Sequence, residues 1–258
     1  MEDLARRLTE AYIHCGSNFS RIRLFRRVAL AGSSAVSGSI LKECFAFQVS
    51  LQNAGWKFPK ANNVLGPDWR IELATQMSDS MLLDARTAVD AASLVFAHSI
   101  LDDLASECCR ISSFAAPQEW ASAIEKRKVA LADLKNSSFQ ALYDSFLSEY
   151  LDQLAREPLM KRLDLLNQKC QPAPTFSPEG RVYIYDVDRI RGVDLLRHEI
   201  IHRVALNRQF PSIEEDLKYL EETCCFLVFL VNQRYQLPLD IQSWLQTRVR
   251  SKSGEQTQ

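Results

Sequence analysis

Apolar residues recur at helical spacing along most of this chain. The clearest stripe is near the C-terminal end, where Ile213, Leu217, Leu220, Cys224, Leu227, Val228, Val231 and Tyr235 fall on one side of a helix. Pro211-Ser212 opens that helix, and Glu215 stands three residues after Ser212 as in a capping box. Phe226, Phe229 and Leu230 lie outside the stripe and form a second apolar surface, which a partner helix or a second chain must cover. The pattern predicts further helices over 67–114, 117–134, 139–155, 159–170 and 188–208. Pro67 and Pro117 suit first-turn positions, and Asp186 or Asp188 can cap the 188–208 helix. The 67–114 helix is expected to be interrupted near Ser78-Asp79-Ser80. Residues 1–66 predict shorter helices at 2–13, 19–31 and 36–54, broken at Gly32-Ser33-Ser34. The proline-containing stretch 171–180 is a loop, and 182–185 reads as a brief extended piece. These elements predict an all-α protein.

Composition supports that class. The 258 residues are 47% hydrophobic and 24% charged, with 8 Gly and 9 Pro, which suits a buried core and few turns. The net charge of −1 provides no global field to attract nucleic acid, so any such site must be a local patch. Arg21, Arg23, Arg26 and Arg27 are either phosphate contacts or a solvated helix face. The seven cysteines include the adjacent pairs Cys108-Cys109 and Cys224-Cys225. With no secretory segment, they imply reduced, buried thiols and a cytoplasmic location. The longest uncharged apolar run, 223–231, is about half of what a membrane span needs, so no membrane association is expected.

Candidate chemistry centres on Arg197-His198-Glu199-Ile200-Ile201-His202. His198-Glu199-x-x-His202 has the spacing of zinc-protease helices, in which two ligands sit one turn apart beside a general base. A third ligand would be Glu222, but that residue falls opposite the apolar stripe of its helix and is expected to face water. Arg203 would place a cation beside the metal. No metal or other cofactor is therefore expected, and a zinc-dependent hydrolase ranks third among the functional readings.

A second reading needs no metal. Arg197 falls within the apolar arc formed by Ile190, Val193, Leu196, Ile200, Ile201 and Val204, flanked by His198 and His202. Glu199 projects away from that arc. A guanidinium directed into a core needs a carboxylate partner. On the 67–114 helix, Val89, Ala92, Phe96, Ile100, Leu104 and Ile111 define an arc that also holds Asp103 and Glu107. Arg197 is therefore expected to pair with one of these acids. A structural salt bridge would satisfy the same pattern. His98 falls off this arc and is expected in solvent.

Arg197-x4-His202, on a helix followed by a short turn and a last long helix, resembles the HEPN superfamily of RNA-cleaving and RNA-binding helical domains. The resemblance implies a HEPN-like helical bundle over 67–240, an N-terminal helical extension over 1–66 and a C-terminal segment with a polar tail over 241–258. It also implies a metal-independent endoribonuclease that cleaves single-stranded RNA to 2′,3′-cyclic phosphate and 5′-hydroxyl ends. In that reading His202 is the acid/base, Arg197 stabilises phosphate charge, His198 positions the phosphate, and Asp103 and Glu107 support them. The expected partners are RNA, a second copy of the chain and a cognate antitoxin or inhibitor, as for a toxin or defence component. A non-catalytic RNA-binding or protein-interaction module of the same family is the alternative.

Overall fold

A computed structural model describes residues 1–54, 69–125, 128, 138–171, 186–203 and 212–241. Every regular element among them is an α-helix: α1 (Glu2–Ala35), α2 (Ser37–Asn53), α3 (Trp69–Ala115), α4 (Pro117–Ile124), α5 (Phe139–Leu154), α6 (Leu159–Cys170), α7 (Val187–Arg203) and α8 (Ile213–Tyr235). Pro67, the extended piece at 182–185, the far end of the 117–134 helix, residues 204–208 and the tail from 242 lie outside the described residues.

Two expected breaks do not occur. α1 runs through Gly32-Ser33-Ser34 and stops only at Val36, and α3 continues through Ser78-Asp79-Ser80. In the first case the serine hydroxyls bond back to their own helix. Ser33 Oγ and Ser34 Oγ both donate to the Leu30 carbonyl, at 2.8 and 3.2 Å. Such back-bonding satisfies the hydroxyl without ending the helix. Ser93 and Ser99 do the same within α3.

The helix ends follow local chemistry more closely. Pro117 occupies the first turn of α4. The Ser138 hydroxyl accepts from the Ala141 amide at 3.2 Å and caps α5. Asp186 Oδ1 accepts from the Arg189 amide at 2.9 Å and caps α7. The expected box at α8 is absent, because Ser212 makes no side-chain cap and its hydroxyl turns to Asp216 at 3.4 Å.

α3, about 70 Å long, is the hub and packs against each of the other seven described helices or their immediate neighbours. α1 lies antiparallel to it, joined by Arg7–Glu107 at one end and Arg26–Asp90 at the other. α8 runs parallel to it, with Ser112 and Tyr235 hydroxyls 2.6 Å apart at the far end. The side of α3 that enters the core only partly coincides with the arc of large residues: Leu104 and Ile111 are buried, but a second row of positions runs along the seam. Thr87, Ala91, Leu94, His98, Leu101, Ala105, Cys108 and Ser112 are buried, at alternating spacings of four and three. Phe96, by contrast, is 57% exposed. The small side chains among them, Thr87, Ala91, Ala105, Cys108 and Ser112, let neighbouring helices approach closely, and a pattern read from bulky residues alone misses that row.

α1 contributes Leu8, Phe19 and Ile22 to the shared core. It packs on α8 as well as α3, and Phe226 and Leu230 of α8 are buried within this single chain. The second apolar surface of α8 is thus covered by helices of the same molecule. Two of the four clustered arginines are engaged by acids and so are not free for phosphate. Arg23 pairs with Glu221, and Arg26 is buried between Asp90, at 2.7 Å, and Glu214.

Candidate functional site

α7 is held to the bundle by Ile190 and Val193, which are fully buried, with Leu196 and Ile200 packed partly against the same core. The motif occupies its last two turns. His198 and His202 are both exposed, and their ring centres lie 4.3 Å apart with the planes tilted by 45°. Residues four apart on a helix share a face, so this pair follows directly from the spacing. Arg197 is half-buried. Its Nε is shielded from solvent and has no hydrogen-bond partner among the described residues. Glu199, expected to project into water, is half-buried.

The acids expected to meet Arg197 are elsewhere. Glu107 accepts two bonds from Arg7, at 2.6 and 3.1 Å, and lies 3.6 Å from Arg110. Asp103 lines a groove between α1 and α3 together with Arg21 and Phe25. Neither reaches Arg197. The physical reason is the rotated seam of α3: these acids belong to the face that meets α1, and α7 packs against a different one.

The face of α3 that does meet α7 presents His98. It is only 1% exposed, contrary to the expectation of a solvated residue. Its Nε2 lies 2.9 Å from Asp194 Oδ1 on α7, at an angle short of a well-directed hydrogen bond, and Nδ1 has no partner among the described residues. Burial holds the imidazole below its ordinary value. Asp194 and Asp102 oppose that shift, and the nearby Arg197 guanidinium adds to it. His98 therefore favours its neutral form more than a solvated imidazole does, and it lies within electrostatic reach of the motif arginine. Its position four residues from Leu94 and three from Leu101 was the signal that could have placed it in the core.

A buried guanidinium paired with a carboxylate does tie α3 to a neighbour, but Arg162 of α6 makes it. Arg162 bonds Asp102, Ser106 Oγ at 2.8 Å and the Ala155 carbonyl at 2.7 Å. The network lies one turn along α3 from His98.

For a metal, the His198–His202 pair is suitably spaced, but a third ligand is needed. Glu222 is on α8, partly buried and 3.8 Å from Lys218. Among the described residues, no group of three His, Cys, Asp or Glu side chains could hold a metal ion. The side chain of Arg203 lies outside the described residues. Among the described residues no helix is long and apolar enough to cross a membrane.

No family model, curated protein or solved structure matches the chain.

Proposed function

We propose that the exposed end of α7 handles a phosphodiester, and that the chain is a metal-independent endoribonuclease of HEPN type acting on single-stranded RNA. The observation that carries this reading is the pair of open imidazoles, 4.3 Å apart, one turn from and adjacent to Arg197. Histidine can exchange a proton near neutral pH, and a guanidinium can stabilise charge on a five-coordinate phosphorus. His202 would take the 2′-hydroxyl proton as the 2′-oxygen attacks phosphorus, and the P–O5′ bond would break with a proton returned to the 5′-oxygen. His198 would hold a non-bridging oxygen.

In-line displacement places base and acid on opposite sides of phosphorus, whereas two rings on one helix face approach from one side. A second copy of the chain, bringing its own His202 to the other side, would complete the site. Such an activity would suit a toxin or defence component restrained by a cognate inhibitor.

One feature favours the alternative, a module that binds RNA without cutting it. With Glu107 bound to Arg7 and Asp103 in another groove, no carboxylate among the described residues orients the motif arginine. A zinc hydrolase rests only on the spacing of His198 and His202.

The deciding experiment incubates single-stranded RNA with purified protein in EDTA, using wild type, His202→Ala and Arg197→Ala, with light scattering for assembly state. Cleavage by the wild type, abolished in His202→Ala while fold and assembly persist, supports the nuclease. Equal cleavage by His202→Ala removes it. RNA binding without cleavage selects the module.

A further inference from the structure

Two charged groups with no ion pair among the described residues line one groove. Arg21 is the member of the arginine cluster on α1 that lines a groove. Its only described partner is Asn18, one turn back, at 3.3 Å. Asp103 of α3 has no hydrogen bond or ion pair among the described residues, and it lines the same groove. The two are not paired with each other. Since α1 and α3 are antiparallel, Asn18, Arg21 and Asp103 share one end, and Phe25 and Phe96 share the other. Ile22 and Ile100 form the floor between them. Phe25 and Phe96 remain 45% and 57% exposed. The groove encloses about 340 Å³, within the range of about 300–1,000 Å³ usual for small-molecule sites.

We propose that this groove binds a small zwitterion with an apolar body, of the class of the aromatic or branched α-amino acids. An α-ammonium would face the Asp103 carboxylate, an α-carboxylate would face the Arg21 guanidinium in the bidentate manner that arginine favours, and the side chain would lie between Phe25 and Phe96. A single anion would meet Asp103, and a single cation would meet Arg21; only a ligand carrying both charges satisfies both groups. Loss of some hydration beside α1 and the neighbouring Asp102 charge raise the Asp103 carboxyl above its ordinary value, although its side chain still reaches solvent. Binding of an ammonium therefore strengthens as pH rises through that raised value.

The site is independent of the α7 motif, and its test does not require RNA cleavage. Arg21, Phe96 and Asp103 are all exposed, so their variants keep the core, which circular dichroism checks. Full-length protein is titrated calorimetrically with L-phenylalanine, phenethylamine, 3-phenylpropionate and glycine. L-Phenylalanine is expected to bind saturably and at least tenfold more tightly than the other three. Arg21→Gln should weaken L-phenylalanine and 3-phenylpropionate and tighten phenethylamine, whose ammonium no longer meets a like charge. Asp103→Asn should weaken L-phenylalanine and phenethylamine and tighten 3-phenylpropionate, whose carboxylate no longer meets a like charge. Phe96→Ala should weaken all three aromatic probes. The proposal is overturned if L-phenylalanine does not saturate the wild type, if the three aromatic probes bind equally, or if Arg21→Gln and Asp103→Asn bind L-phenylalanine as the wild type does.

Discussion

Arg162 on α6 and Asp102 on α3 form a buried ion pair of the kind expected between Arg197 and Asp103 or Glu107, and Arg162 is only 2% exposed while it does so. The two arginines therefore differ in what their removal leaves behind. Arg162→Met strands Asp102 and the Ala155 carbonyl and is expected to cost about 2–3 kcal/mol, the lower part of the range for such pairs because Asp102 is a third exposed. In a chain of this size that lowers Tm by roughly 5–10 °C. Arg197→Met removes a shielded Nε that has no partner among the described residues, so its Tm should stay within about 2 °C of wild type. Differential scanning calorimetry of the two variants checks the contrast. Equal losses would mean that Arg197 has a structural partner.

His98 predicts a dependence on acid. Its folded-state value lies below the ordinary one, chiefly through burial, so between the two values the unfolded chain binds the extra proton. Stability is then highest above about pH 6.5, the ordinary imidazole value, and falls as pH drops from there toward the lowered folded value. In His98→Leu this contribution disappears. Unfolding free energies from urea titrations at pH 7.5, 6.5 and 5.5 should decline less steeply in the variant than in the wild type. Parallel slopes would show that His98 takes up its proton alike in the folded and the unfolded chain.

The thiols predict a chemical silence. All seven cysteines are free, and six are buried. Burial pushes Cys109 and Cys225 up to about 12 and Cys170 up to about 11. Because the thiolate is the reactive form, the native chain at pH 8 should react with a disulfide reagent at least roughly 100-fold more slowly than the chain in guanidinium, where all seven react. Fast modification of Cys109 or Cys170, located by mass spectrometry, would show that the α3–α6 interface opens readily.

What the sequence determined by itself was local. Period and length specified helices; Leu159 to Cys170 and the start of α4 at Pro117 could be read directly, and the i,i+4 spacing of His198 and His202 was enough to bring their rings onto one face. The tertiary structure decided which face of each helix met which neighbour. On α3 a seam that mixes Ala, Cys, Ser and Thr with Leu94, His98 and Leu101 enters the core together with Leu104 and Ile111 of the arc, while Phe96 stays outside, because small residues let the neighbouring helices approach along that row. That packing sends Glu107 to Arg7, leaves Asp103 in the outer groove, and turns His98 toward Asp194. A carboxylate's partner depends on which of several arginines the packing brings within about 3 Å. Arg7, Arg26 and Arg162 reach acids at least 60 residues away along the chain. No periodicity within one helix contains that information, which exists only once the helices are packed.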